Sequence, residues 1–237
     1  EQCRQIRRPV VAGPGPDDQA EQGLQDGCLS VAPHLQPILV AADHLDAIGN
    51  TSIVQLRRLV PPGSADVLVK LEWENPTGSM KDRMALSMIE GAERSGRLSP
   101  GGTVVEYTGG STGTSLAMIC AVKGYKSLFV TSDAFASEKL RMMKAFGAEL
   151  DIIHSPDGKI TAGLIDALVH RAGELSRVPG FFWTDQFNNT DNRSAYHAMA
   201  DEIINALDGR IDEFIMGVGT GGCFSGNAEI LTERIPG

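Results

Sequence analysis

Metal and disulfide signatures are missing from this sequence. The four cysteines, Cys3, Cys28, Cys120 and Cys223, are scattered, with no C-x-x-C pair. Neither a zinc knuckle nor a disulfide framework is indicated. The five histidines show no H-E-x-x-H or other ligand spacing, so no metal is expected. No apolar run reaches the ~18 residues that span a bilayer, and no membrane role is expected. The first residues lack the charged-then-apolar layout of a secretory signal. Basic residues are the minority: 21 Lys and Arg against 30 Asp and Glu leave a net charge of -9. An acidic surface repels phosphate backbones, which argues against nucleic acid as a partner. These absences fit a reducing, cytoplasmic setting. Methionine is also absent before Met80, and the chain opens on Glu1; both point to a processed, trimmed or fragmentary product.

What is present suffices for a folded core. The 237 residues, 42% of them hydrophobic, allow one large domain or two modest ones. Residues 1–46 include "VAGPGPDDQAEQGLQDG", rich in Gly, Pro, Asp and Gln without periodicity, and read as a flexible extension. A short helix is expected near "PILVAADHLDAIG". From Ala65 onward, short β-branched runs alternate with helical patterns. Strands are expected in "DVLVKLEW", "TVVEYTG", "SLFVTSD", "LDIIHS", "FFWTDQF" and "DEFIMGVG". Helices are expected in "MKDRMALSMIEGAERSG", "TGTSLAMICAVKG", "SEKLRMMKAFG", "AGLIDALVHRAGEL", "AYHAMADEIINAL" and "FSGNAEILTERI". Gly96, Gly124 and Gly147 fall where helix C-caps belong. Six strand-helix alternations imply an open α/β fold with a mostly parallel sheet. Such sheets bind ligands on the loops beyond the carboxyl ends of their strands.

Three of those loops are rich in Gly, Ser and Thr. "GVGTGGCFSG" (217–226) precedes a helix, and its glycines let backbone N–H groups converge on an anion, with Thr220 adding a hydroxyl. The run also fits G-x-G-x-x-G, the dinucleotide fingerprint. That fingerprint wants an acidic residue about 20 positions on, and only 15 residues follow Gly222. Glycines for tight strand–helix packing are the plainer alternative. "EYTGGSTGTSLA" (106–117) offers Thr108, Ser111 and Thr112 at a second helix start. It suits a carboxylate, or it is only a helix cap. "ENPTGSMKDR" (74–83) sets Lys81 at a third. The positive end of the helix dipole there disfavours the ammonium form. A neutral lysine amine condenses with carbonyl compounds. A carbonyl compound that also carries a phosphate for the glycine loop is pyridoxal 5'-phosphate. Without the other loops, Lys81 would read as a surface cation beside Asp82 and Arg83.

The segments "IGNTSIVQL", "NPTGSMKDR", "EYTGGSTG", "DQFNN" and "GVGTGGCFSG" resemble the cysteine synthase family in order and spacing. That family belongs to the tryptophan-synthase-β-like class of pyridoxal-phosphate enzymes, and the likeness runs over residues 48–237. It implies two open, mostly parallel sheets flanked by helices, with the larger domain incomplete. The smaller domain would span 75–185; the larger would combine 47–74 with 186–237. Catalysis would rest on Lys81, which binds the cofactor covalently and moves the α-proton. The cofactor phosphate would lie on Gly219, Thr220, Gly221, Gly222 and Cys223, with Ser111 beside the ring. The substrate carboxylate would meet Thr108, Gly109, Gly110, Thr112 and Gln186, with Asn50 and Thr51 near the site. The implied reaction is β-replacement on an O-acylated serine by sulfide or a thiol through an aminoacrylate. The alternatives are a β-elimination lyase or serine/threonine dehydratase, and a catalytically impaired relative. The partner would be a small amino acid; homodimers are usual in the family.

Departures from the family pattern bear on the substrate. The loop that usually reads T-S-G-N-T-G is here Thr108-Gly109-Gly110-Ser111-Thr112-Gly113. A serine that contacts substrate becomes Gly109, and an asparagine beside the cofactor's 3'-oxygen becomes Ser111. Cys223 stands where threonine is usual, and "YHAMADEI" replaces T-T-G-P-E-I. The family's remaining C-terminal strands and helices do not follow Gly237.

Overall fold

The computed structural model describes residues 43–235. Apart from 43–46, the expected extension lies outside the described residues, as do residues 37–42 of the short helix expected around 37–49; the remainder, 43–49, forms bends and a turn rather than a helix. The rest is mixed α/β. Strands β1 (Ile53–Gln55) and β2 (Leu68–Lys70) form an antiparallel ribbon, and a 3-10 turn follows at Glu72–Glu74. Then come α1 (Lys81–Arg94), β3 (Thr103–Tyr107), α2 (Ser111–Lys123), β4 (Lys126–Ser132), α3 (Ser137–Ala145), β5 (Glu149–Ile153), α4 (Ala162–Leu175) and β6 (Phe181–Trp183). Three helices close the described chain: α5 (Thr190–Ser194), α6 (His197–Leu207) and α7 (Gly222–Arg234). Strands β3 to β6 make one parallel sheet in the order β5-β4-β3-β6.

The period of two along each strand explains the layers. On β3, Val104 joins a core with Met84, Met88, Leu116 and Ile119 of α1 and α2, while Val105 joins Leu164 and Leu168 of α4. Phe129 and Val130 divide in the same way on β4. One face of α1 is apolar, and Met84, Ala85, Met88, Ile89 and Ala92 are buried along it. Helix α2 is buried at every position from Thr112 to Cys120. It is apolar or small all round, as a central helix must be. Gly124 ends it with φ +75°, and the N–H of Tyr125 donates to Cys120 O. Thr161 caps α4, its hydroxyl accepting from Leu164 N at 3.2 Å.

Two expected strands are corrected. In "DVLVKLEW" only Leu68–Lys70 joins a ladder, and the run then turns into the 3-10 segment. "DEFIMGVG" forms no strand: residues 213–218 carry no regular secondary structure. Among the described residues no neighbouring strand offers them a ladder, and Ile215 is 84% and Val218 67% exposed. A strand pattern without a partner cannot satisfy its backbone as a strand. The second expected sheet is therefore represented by the β1–β2 ribbon alone among the described residues.

Candidate functional site

The loop after β3 is folded by its own threonine. Thr108 Oγ1 accepts from Gly110 N at 3.4 Å and Gly113 N at 3.2 Å, which turns the chain into α2. The two glycines face different surroundings. A β-carbon on Gly110 would meet nothing within 4 Å, whereas one on Gly109 would stand 2.0 Å from the Phe135 ring. Phe135 comes from the loop between β4 and α3, so it fills the place a side chain at 109 would need. Ser111 opens α2. Thr112 Oγ1 donates to Gln186 Oε1 at 2.8 Å, tying this loop to the one after β6.

That second loop hangs on a buried carboxylate. Glu106 is fully buried in β3. It accepts from Thr184 Oγ1 at 2.6 Å, Gln186 N at 3.0 Å and Trp183 Nε1 at 3.3 Å. Burial pushes its pKa up to about 7, with those hydrogen bonds pulling the other way. Gln186 is thus held by its N–H and its side-chain oxygen. Its Nε2 reaches only Tyr107 O, at 3.5 Å.

Lys81 sits at the start of α1, behind a braced turn. Asn75 Oδ1 accepts from Gly49 N at 2.9 Å, and the Asp82 carboxylate accepts from Thr77 N at 2.8 Å and from the Thr77 hydroxyl. Fully buried Tyr196 donates its hydroxyl to Met80 O at 3.3 Å. Two residues on, Arg83 pairs with Glu72 at 2.8 Å and Glu202 at 2.7 Å, and Lys70 reaches Glu202 at 2.6 Å. Asn50 and Thr51 belong to this network: Asn50 N donates to Glu202, and the Thr51 hydroxyl to Glu72. Burial draws the Lys81 pKa below the usual lysine range, and the Cys223 sulfur opposes it. Desolvation thus acts in the same direction as the helix dipole expected from the sequence.

Lys81 faces the glycine loop. A cleft is lined by Met80, Lys81, Met216, Val218, Gly219, Thr220, Gly221, Cys223 and Phe224. Gly221 takes φ +85° just before α7, a conformation suited to glycine. Gly219 and Gly221 leave open space where β-carbons would stand, while Gly222 lies against Asn192. Cys223 is buried, and burial pushes its thiol up to about 11, with Lys81 acting to lower it.

Two groups of expected residues are thus assembled. Lys81 shares a cleft with Gly219, Thr220, Gly221 and Cys223, with Gly222 opening α7. Thr108, Gly109, Gly110, Ser111, Thr112 and Gln186 lie on the two neighbouring loops. Asn192 of α5 reaches both groups: its Nδ2 donates to Gln186 O at 2.6 Å and Thr220 Oγ1 at 3.1 Å. Asn192, Glu106, Tyr196 and Phe135 join the residues expected from the sequence. The Asn-rich run "FNNTDN" was a visible capping signal, and Asn189 does cap α5. A lone Glu in an apolar strand, "TVVEYTG", was the signal for Glu106. Phe135 offered none.

Comparison with known proteins gives the chain its relatives. The family model described as "Pyridoxal-phosphate dependent enzyme" matches residues 44–237. A cysteine synthase of Staphylococcus aureus is 43% identical over 191 residues, 80% of this chain and 60% of that protein. The crystal structure of a hydrogen sulfide-producing enzyme from Fusobacterium nucleatum is 38% identical with a TM-score of 0.77, covering 84% of this chain and 63% of that one. A cysteine synthase structure from Entamoeba histolytica is 34% identical with a TM-score of 0.75, covering 89% and 62%. The chain spans about 60% of the length of the curated relatives it matches.

Proposed function

The chain belongs to the pyridoxal-phosphate dependent enzyme family, and on that premise we propose that it serves β-replacement on an O-acylated serine by sulfide or a thiol. The residues present fit the cofactor. The loop 219–223 leads into the N-terminus of α7, where free backbone N–H groups favour a phosphate. Gly219 and Gly221 leave open space in a cleft shared with a lysine whose ammonium form is disfavoured by burial. When bound, the cofactor supplies an electron-accepting ring that takes up charge from the amino acid's α-carbon.

The chain's own residues supply the rest. Lys81 would hold the cofactor covalently, then take the α-proton on Nζ, a task that needs an amine free of its own proton. Gly219, Thr220, Gly221, Gly222 and Cys223 would hold the phosphate, and Ser111 would lie beside the ring. Thr108, Gly109, Gly110, Thr112 and Gln186 would orient the substrate carboxylate. Cys223, a weaker donor than threonine, would leave the phosphate held mainly by backbone and Thr220. Residues 75–185 would form the domain that closes over substrate, which shields a reactive intermediate from water.

The observation that carries this reading is the cleft joining Lys81 to the glycine loop, in a chain 43% identical to a cysteine synthase. The likeness to a hydrogen sulfide-producing enzyme supports a second reading, β-elimination of cysteine. Product analysis separates them. Cysteine formed from O-acetylserine and sulfide supports replacement. Sulfide released from cysteine without such synthesis supports elimination, and turnover of neither amino acid contradicts both.

A further inference from the structure

The two halves of the proposed site share one side chain, and it belongs to neither. Asn192 lies in α5, 3% exposed. Its amide has two N–H donors and meets two acceptors, Gln186 O at 2.6 Å and Thr220 Oγ1 at 3.1 Å. A backbone carbonyl can only accept, so Gln186 O fixes which end of the amide points where. Asn192 Oδ1 is then left buried without a protein partner. It lies against Gly222, where a β-carbon would stand 2.3 Å from it.

Each acceptor is constrained in a way that bears on binding. Because Thr220 Oγ1 accepts from Asn192, its own hydrogen must point elsewhere, and among the described residues it donates to no protein group. Thr220 lines the cleft that holds Lys81, so that hydrogen is available to an anion there. Gln186 is pinned at its carbonyl by Asn192, at its N–H by Glu106 and at Oε1 by Thr112. Nε2 alone, at the limit of bonding distance from Tyr107 O, stays available to a carboxylate.

We propose that Asn192 is a positioning residue that couples the two anion sites, setting the phosphate loop through Thr220 and the carboxylate loop through Gln186. The inference rests on the function proposed above. Its consequence is that one substitution at a residue touching neither ligand weakens both.

The test compares three variants of the chain loaded with pyridoxal phosphate. Cofactor Kd is read by titration of visible absorbance, and KM for O-acetylserine is read separately. Asn192→Ala is expected to raise both constants by roughly tenfold, the scale of losing a buried hydrogen bond. Thr220→Val, which removes the side-chain acceptor, is expected to raise the cofactor Kd with KM within about twofold; Gln186→Ala, which keeps the backbone acceptor and removes only the side chain offered to the carboxylate, is expected to do the reverse. Asn192→Ala added to Thr220→Val should weaken cofactor binding by less than about twofold more, because the shared bond is already gone. Should the alanine variant fail to fold, the isosteric Asn192→Asp, which removes both donors, is expected to show the same paired losses. An Asn192 variant that folds and moves one constant alone, or neither, overturns the coupling. So does a fully additive double variant. A wild-type chain that binds no pyridoxal phosphate overturns the proposed function instead.

Discussion

Gly109 lies under the ring of Phe135, so close that a β-carbon at 109 would stand 2.0 Å from it. The glycine is therefore one half of a packed pair. Gly109→Ala should destabilise the fold by about 1–3 kcal/mol, the usual cost of overpacking. Phe135→Ala should remove most of that penalty. A double-mutant cycle by urea unfolding measures the coupling. Equal cost of Gly109→Ala in both backgrounds would show that the ring is not the obstacle.

The ion network behind Lys81 sets an acid limb of stability. Glu202 is drawn down to about 2 from 4.5, burial opposing hydrogen bonds from Arg83 and Lys70. A carboxylate with a depressed folded pKa contributes fully above its unfolded value, and the contribution fades as pH falls through the folded one. Glu202→Gln should thus be less stable than wild type at pH 7, and the gap should close between pH 4.5 and 2. Thermal unfolding across that range checks it; a gap that stays constant refutes the linkage.

Removing Arg83 from that network is expected to cost more. Arg83→Met leaves Glu72 and Glu202 facing each other without their shared partner. Breaking one side of a buried pair costs about 3–5 kcal/mol. Urea midpoints at pH 7 report the loss, and a change below about 1 kcal/mol would place the pair among surface ion pairs.

Cys223 is predicted to be chemically quiet. Its thiol, pushed up to about 11 by burial, is almost wholly protonated at pH 8, and the thiol is a poor nucleophile. Iodoacetamide at pH 8 should leave it unlabelled in the folded chain and label it in urea. Cys223→Thr should tighten pyridoxal phosphate by roughly two- to tenfold, the worth of one added hydroxyl donor. Unchanged affinity would remove residue 223 from the phosphate cradle.

The parts of this architecture that the sequence announced are those with local causes. The short apolar, β-branched runs in "TVVEYTG" and "SLFVTSD" located β3 and β4, and the glycine after "SLAMICAVK" located the end of α2. The three loops rich in Gly, Ser and Thr were legible because those residues at helix starts have a local reason to be there. What escaped has non-local causes. The run 212–219 has strand composition but no neighbouring ladder among the described residues. Phe135 meets Gly109 only because β4 lies beside β3. Asn192 reaches Thr220 across 28 positions. Glu106 stood out as a charge in an apolar strand, but its donors arrive from nearly 80 residues away.

The central claim is that Lys81 carries the cofactor, and borohydride reduction tests it most directly. The wild-type chain is mixed with pyridoxal phosphate, reduced, digested and mapped by mass spectrometry. The account predicts a reduced phosphopyridoxyl label on the peptide containing Lys81, with visible absorbance that Lys81→Ala abolishes. A label on another lysine, or absorbance that survives Lys81→Ala, would contradict it.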